Sequence, residues 1–276
     1  MAEITASAVK ALRERTGLPM MDCKRALEET GGDQEAAVKA LREQGKKTQE
    51  TRLGREMSAG RVAVYTDMAK GVGAMVEFLC ESAPVAGSPE TAQYANDLAK
   101  QLALGPGAKT AEELLKQPAP SKPGQTLGDQ KDDMFNRIRE VFNVGRLIRI
   151  DAPCGGYAHH DGSFGALVEV QGSNAEVAKD IAMQVVANNP ASVSKEDLDP
   201  TAIEKEREIL MEAARKEGKP ENIIAKMVDG RLKNFFAERV LLEQPFVKDG
   251  AKTVGQVAKE AGLKVIRFVN WKLGKA

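Results

Sequence analysis

The sequence predicts an α+β protein in three parts: an N-terminal three-helix module, a core of duplicated α+β subdomains in which antiparallel sheets carry helices, and a projecting antiparallel helical hairpin. Three observations predict it. Apolar positions in the first 45 residues recur at helical spacing between capping signals. The middle of the chain repeats itself, strand for strand and helix for helix. Two amphipathic segments after residue 199 meet at Gly218-Lys219-Pro220, a pattern that stops one helix and opens the next.

The first module occupies residues 1–45. Val9 and Leu12 mark one helix, which Thr5 or Ser7 is placed to cap and which Gly17 with Pro19 ends. Cys23, Ala26 and Leu27 mark a second, with Asp22 suited to its start and Gly31-Gly32 to its stop. Asp33 caps a third, carrying Ala37, Val38 and Leu41. Three short helices with a Gly-Leu-Pro-Met-Met loop resemble a ubiquitin-associated-type fold. Residues 46–59 are polar and read as a solvated linker, helical in part.

The core begins at residue 60. Arg61–Tyr65 and Ala74–Leu79 form a hairpin about the turn Ala69-Lys70-Gly71, and a helix follows from Pro89 to Leu104. Residues 105–128 are rich in glycine and proline and read mainly as loop, with a short helix at Ala111–Leu115. A helix over Asp132–Phe142 and a strand over Arg146–Ile150 complete the first subdomain, 60–145, and open the second, 146–198. The repeat lies across these segments. Gly73–Phe78 matches Gly165–Val170 at an offset of 92, and Ala95–Leu102 matches Ala178–Val185 at an offset of 83. The first copy therefore carries nine extra residues, Cys80–Ser88, between strand and helix. A single-copy insertion on a repeated frame is a natural carrier of function.

The helical hairpin spans 199–243. Asp199 caps it and Pro200 sits at the first helical position. Ile203, Leu210 and Ala214 face Ile224, Val228, Leu232 and Phe235 across the turn at Gly218. Residues 244–276 complete the second subdomain with Gln244–Val247, in which Phe246 reads as core, a helix near Thr253–Ala261, and a strand over Val265–Trp271 that joins the second sheet.

Composition narrows the functional classes. Forty basic residues balance forty acidic ones among 276, and aromatics are 4%, so neither an electrostatic hold on nucleic acid or membrane nor base stacking is expected. Three widely separated cysteines suit reduced thiols in the cytoplasm. The N-terminus lacks a signal-peptide pattern, and no apolar run of about 18 residues suggests a membrane span. No phosphate-cradling loop or nucleophile elbow is present, and no catalytic residues, metal ligands or cofactor are expected. His159-His160-Asp161 reads as a hairpin tip whose neighbouring residues point to opposite faces. Cys23 reads as a buried thiol, Cys80 as structural at a strand end, and Cys154 as part of a turn before Gly155-Gly156.

The exact residues Thr5-Ala6-Ser7, Val9-Lys10, Leu12-Arg13-Glu14-Arg15-Thr16-Gly17 and Met20-Met21-Asp22-Cys23-Lys24, with Ala26-Leu27, resemble the N-terminus of bacterial translation elongation factor Ts. Ile181-Ala182-Met183, Lys226-Met227-Val228, Gln244–Val247 and Lys252–Gln256 resemble motifs of the same family further on. The resemblance implies a guanine-nucleotide exchange factor for elongation factor Tu in its GDP-bound and nucleotide-free forms, acting without covalent chemistry. It also implies that Arg13, Met20 and Met21 contact the partner, although the two methionines would equally close the small core. It places a loop at Ser82, Ala83, Pro84 and Val85 beside the partner's magnesium site. The family pattern there is Thr-Asp-Phe-Val-Ala, so Ala83 replaces the acidic residue and Pro84 the aromatic. Gln184 stands where the family has histidine, and reads either as a partner contact or as a half-exposed helix residue. Trp271 leaves open a pairing with a second copy, a homodimer of the heterodimer. A different class, a ubiquitin-associated-like adaptor that binds without exchange, needs only the first module.

Overall fold

The computed structural model describes residues 4–52, 54–218 and 220–274. Lys219, within the hairpin turn read above, lies outside the described residues. The fold is mixed α+β, with eleven α-helices and small antiparallel sheets among the described residues. It clusters into two compact units. One comprises the residues up to Ala63, Val76–Ile148 and the residues from Leu273; the other comprises Val64–Met75 and Arg149–Lys272.

The first unit opens with α1 (Ala6–Thr16), α2 (Met20–Glu29) and α3 (Gln34–Glu50). Thr5 Oγ1 caps α1 by accepting from the Ala8 amide, and Gly17 closes it in the left-handed conformation at φ 68°. Asp33 Oδ1 caps α3 by accepting from the Glu35 and Ala36 amides. Val9, Leu12, Leu18, Cys23, Ala26, Leu27, Ala37 and Leu41 form the core of these helices. One correction arises here. Met20 and Met21 lie in the first turn of α2, not in a loop, because Pro19 supplies an extended N-cap and the helix starts at once behind it. The stretch expected from residue 46 as a linker helical in part is helical as far as Glu50, where α3 ends, since Lys, Gln and Glu are good helix formers once a helix is nucleated.

Strands β1 (Ala59–Asp67) and β2 (Val72–Cys80) form the first hairpin. The one-turn helix α4 (Ala83–Ala86) follows, then α5 (Pro89–Leu104), α6 (Ala111–Leu115), α7 (Leu127–Ile138) and β3 (Phe142–Ile150), with sheet order β1-β2-β3. Phe78 anchors this core, edge-on to Tyr94 at 4.9 Å and stacked on Phe142 at 5.5 Å. Helix α7 begins five residues before the sequence expectation because Thr126 and Asp129 build a capping box. It ends at Ile138, so Phe142, expected in the helix, opens β3 and buries its ring in the sheet.

The second unit holds β4 (Cys154–Ala158), β5 (Phe164–Gln171), α8 (Ala175–Asn188), α9 (Pro200–Lys216), α10 (Glu221–Arg239), β6 (Pro245–Phe246), β7 (Asp249–Thr253), α11 (Val254–Glu260) and β8 (Lys264–Lys272). Its sheet order is β4-β5-β8, antiparallel throughout, with Leu167 opposite Gly156 on one side and Val269 on the other. Ala166, Val168 and Val170 of β5 join Ala178, Ile181, Ala182 and Val185 of α8 in one core, to which Phe246 belongs. Cys154 is in β4 rather than a turn; Gly155 keeps that strand extended where a Cβ would meet the Ala178 carbonyl of α8 at 2.1 Å. Helices α9 and α10 pack through Ala214, Ile224, Val228 and Leu232.

Candidate functional site

The segment after β2 is fixed from several sides. Cys80 Sγ donates to the Ser82 carbonyl at 3.4 Å. Glu81 accepts from the Val141 amide at 2.8 Å and from Arg55 Nη1 at 2.9 Å, and these contacts hold its carboxyl below the ordinary glutamate range. Glu140 returns the arrangement: its two oxygens accept from the Ser82 amide at 3.1 Å and the Ser82 hydroxyl at 2.6 Å. Arg61 Nη1 donates to the Ala86 carbonyl at 3.2 Å. Helix α4 therefore has a clamped start and a clamped end. Ala86 is buried beneath it, Val85 is half-buried, and Ala83 and Pro84 face solvent. Burial pushes the Cys80 thiol up to about 11, so it is protonated at neutral pH and serves as a donor rather than a nucleophile.

Arg13 is exposed on α1, and Met20 and Met21 open α2 with 49% and 64% of their surface accessible. The alternative in which the methionines close the small core is not the arrangement found, because Leu18, Cys23 and Leu27 already fill that core. Asp22, in the same first turn, pairs with Arg139 at 3.0 Å and lies 3.9 Å from Arg25. Helix α3 and helix α7 are joined by Arg42 and Asp133 at 3.3 Å.

Gln184 lies elsewhere, on α8, and has no accessible surface. Its amide nitrogen donates to Gln244 Oε1 at 3.0 Å and to the Pro245 carbonyl at 3.2 Å, while its oxygen accepts from the Val247 amide at 2.7 Å. Neither reading made from the sequence, direct contact or half exposure, matches this enclosed position. The side chain holds β6 in place and leaves Val247 exposed beside it. A histidine could not supply both the two donated bonds and the accepted one from the same edge.

The histidine pair belongs to the β4–β5 turn. The two rings lie 4.2 Å apart, so they do not point to opposite faces, because the residues are past the end of the strand. Burial opposes ionisation of Asp161, but hydrogen bonds from Ser163 and His159 outweigh it and hold the carboxyl well below its usual range. Burial, with Glu169 nearby, pushes the Cys154 thiol up to about 12. No group of three metal-ligating side chains occurs among the described residues, and no helix among them is long and apolar enough to cross a membrane.

What sequence reading missed is the connector Arg139-Glu140-Val141 between α7 and β3. Nothing in its composition marks it. Arg139 is a non-glycine residue at φ 65°, and its carbonyl accepts from Arg52 at 2.7 Å.

The described residues thus present a braced apolar crest at α4 and a solvent-facing start to α2, on a mixed α+β fold. Comparison with known proteins identifies the class as that of a translation elongation factor. The family model for elongation factor Ts matches residues 85–275. Elongation factor Ts of Methylococcus capsulatus is 40% identical over 274 residues, covering 99% of this chain and 92% of the relative. The same factor from Alkalilimnicola ehrlichii is 41% identical over 274 residues (99% and 92%), and that of Clostridium botulinum strain Eklund 17B is 42% identical over 286 residues (99% and 93%). The chain belongs to the elongation factor Ts family of translation elongation factors.

Proposed function

We propose that this chain is a guanine-nucleotide exchange factor for elongation factor Tu and makes no covalent bonds. It binds the GDP-bound partner, favours the nucleotide-free state and is displaced when nucleotide returns. Such exchange is linkage: a chain that prefers the empty partner weakens nucleotide binding by the same factor. The observation that carries the reading is the braced α4 crest, with Ala83 and Pro84 presented on a one-turn helix whose position is already fixed, rather than on the loop the sequence predicts. A prepositioned wedge spends little binding free energy on its own ordering.

In this reading Ser82, Ala83, Pro84 and Val85 enter the partner near its magnesium site. Pro84 acts as a small rigid apolar wedge, and Glu81, engaged with Arg55 and Val141, braces the wedge from behind. Losing magnesium leaves phosphate charge uncompensated and speeds GDP departure. Arg13, Met20 and Met21 dock on the partner's nucleotide domain. Gln184 acts from inside, presenting Val247.

The finer architecture belongs to the same reading. Residues 1–45 form a ubiquitin-associated-like module, 46–59 lead into the core, 60–145 and 146–198 with 244–276 are duplicated subdomains, and 199–243 is a coiled-coil hairpin. The parallel between the sheet orders β1-β2-β3 and β4-β5-β8, each a hairpin followed by a helix and a later third strand, supports the duplication. The site of action is the cytoplasm, and pairing of two heterodimers through the Trp271 strand is the assembly we favour.

The test is stopped-flow release of a fluorescent GDP from elongation factor Tu. Substoichiometric chain should accelerate release by about 100-fold or more, the scale on which coupling free energies of about 3 kcal/mol act. Binding without acceleration would leave an adaptor in its place.

A further inference from the structure

We propose that Arg139 and Glu140 are positioning residues that couple the start of α2 to the α4 crest, so that engagement at Met20 and Met21 sets the position of Ser82–Val85. The coupling deepens the exchange reading and, for its role in nucleotide release, rests on it; the contacts themselves do not.

The connection is continuous and polar. Asp22, adjacent to Met21 in the first turn of α2, accepts from Arg139 Nη2 at 3.0 Å. Arg139 is the last step of α7: its amide donates to the Phe135 carbonyl at 2.7 Å, its backbone is left-handed, and its own carbonyl is held by Arg52. A non-glycine residue keeps such a backbone only where its surroundings fix it. The next residue, Glu140, takes both donors of Ser82, and the next amide, Val141, is taken by Glu81. Each side of this clasp supplies a carboxylate to the other side's backbone. Charge-assisted hydrogen bonds of this kind are short, directional and about twice as strong as neutral ones. Rotating Arg139 out of its left-handed conformation would carry Glu140 off Ser82 and the Val141 amide off Glu81 together, so the two contacts form or part as one. A two-state element biased from both ends is what coupling requires.

The contact to α2 is partly open to solvent. Asp22 and Arg139 are 25% and 40% accessible, so a partner docking over Met20 and Met21 reaches or desolvates that pair directly. Desolvation strengthens a paired charge contact and tightens the clasp. The crest is then stiffest when the partner is already held.

The experiment uses the full chain with Asp22→Asn, Arg139→Gly, Glu140→Gln and the double variant Asp22→Asn/Glu140→Gln. Arg139→Gly keeps the left-handed backbone accessible while deleting the side chain. Amide hydrogen exchange at Ser82 and Val141 is read by NMR in the free protein, and the limiting rate and half-saturating concentration of GDP release are read with elongation factor Tu. Glu140→Gln should speed Ser82 exchange by about 10-fold, the effect of one lost charged hydrogen bond. Arg139→Gly and Asp22→Asn should speed it by about 3-fold although neither touches Ser82, as coupling free energies below about 1 kcal/mol do. The limiting release rate should fall in the same order, and the double variant should fall by less than the product of the singles. Ser82 exchange unchanged in both Arg139→Gly and Asp22→Asn overturns the coupling, as does strict multiplication in the double variant. If the unmodified chain fails to accelerate GDP release, the exchange reading falls and the amide measurements still decide the coupling.

Discussion

Glu77 shows how much one buried side chain can carry. Its carboxylate is 7% accessible and is bonded by Arg146 Nη2 at 2.7 Å and Nε at 3.1 Å and by the Gly274 amide at 3.1 Å. Burial opposes its ionisation, yet the Arg146 and Gly274 contacts prevail and its carboxyl lies below the ordinary glutamate range. A folded-state value below the unfolded one contributes stability that is present above the unfolded value and is lost as pH falls through the folded one. Glu77→Gln should therefore cost about 3 kcal/mol at neutral pH, by removing the buried charge that Arg146 and the Gly274 amide bond, and should flatten the acid limb of a urea-midpoint titration below about pH 4.5. An unchanged acid limb would reassign that pH dependence to other carboxylates. Gln184 makes the neutral counterpart. Gln184→Leu conserves bulk but strands the Val247 amide and the Pro245 carbonyl, and should cost about 2 kcal/mol in urea denaturation. An exposed partner contact would cost almost nothing, so the same measurement separates the two roles.

At the scale of elements, close approach outweighs intrinsic preference. Gly45 sits within α3, where a glycine costs about 1 kcal/mol relative to alanine. A Cβ there would lie 1.7 Å from Asn136 Oδ1 and 2.6 Å from its Cγ on α7, so the whole buried amide of Asn136, 5% accessible, would have to shift. Gly45→Ala should thus lower stability by about 1–3 kcal/mol in spite of its better helix propensity, because overpacking exceeds the propensity gain. A rise in melting temperature would show that α3 is not pressed on α7. The sequence disclosed elements whose signals are local: the Thr5 and Asp33 caps, Gly17, the Pro89–Leu104 helix, and the Asp199-Pro200 start. It misplaced those decided by neighbours. Phe142 reads as the next apolar position of a helix until a partner ring, Phe78, is available in the sheet. The β6–β7 pair carries no alternation at all, since Pro245 is held opposite Thr253 and by Gln184, and Phe246 opposite Asp249. The candidate crest was legible as an insertion because a repeat defined its limits. Its brace was not, because Glu81 and Glu140 are 59 positions apart in sequence and only the fold sets them against each other.

For the molecule as a whole, the exchange reading makes a demand on binding that can be tested without following nucleotide release. If the chain accelerates GDP departure by stabilising the empty partner, its affinity for nucleotide-free elongation factor Tu must exceed that for the GDP-bound form by the factor through which it weakens GDP. A docking surface with no preference between the two would hold the partner and shift nothing. Removing residues 1–50 is a blunt way to probe this, because it strips Arg42 from Asp133, Asp22 from Arg139 and Gly45 from Asn136, and so exposes α7. The exposed pair is cleaner. Met20→Glu/Met21→Glu leaves the module's core of Leu12, Leu18, Cys23 and Leu27 intact, and surface changes of this kind shift stability by about 0.5 kcal/mol or less. Calorimetric titration should show both affinities falling by about 30-fold, the weight of one interface hot spot, with a further fall of about 3-fold for the empty partner alone, because engagement there positions the crest. Pro84→Gly, which removes the apolar ring from the crest, should instead reduce the ratio, since a wedge that acts only in the empty state contributes to one affinity and not the other. Should the methionine pair alter the ratio more than the common affinity, and Pro84→Gly only the common affinity, the assignments of docking and wedge would be exchanged, and the start of α2 would be the element that discriminates nucleotide state.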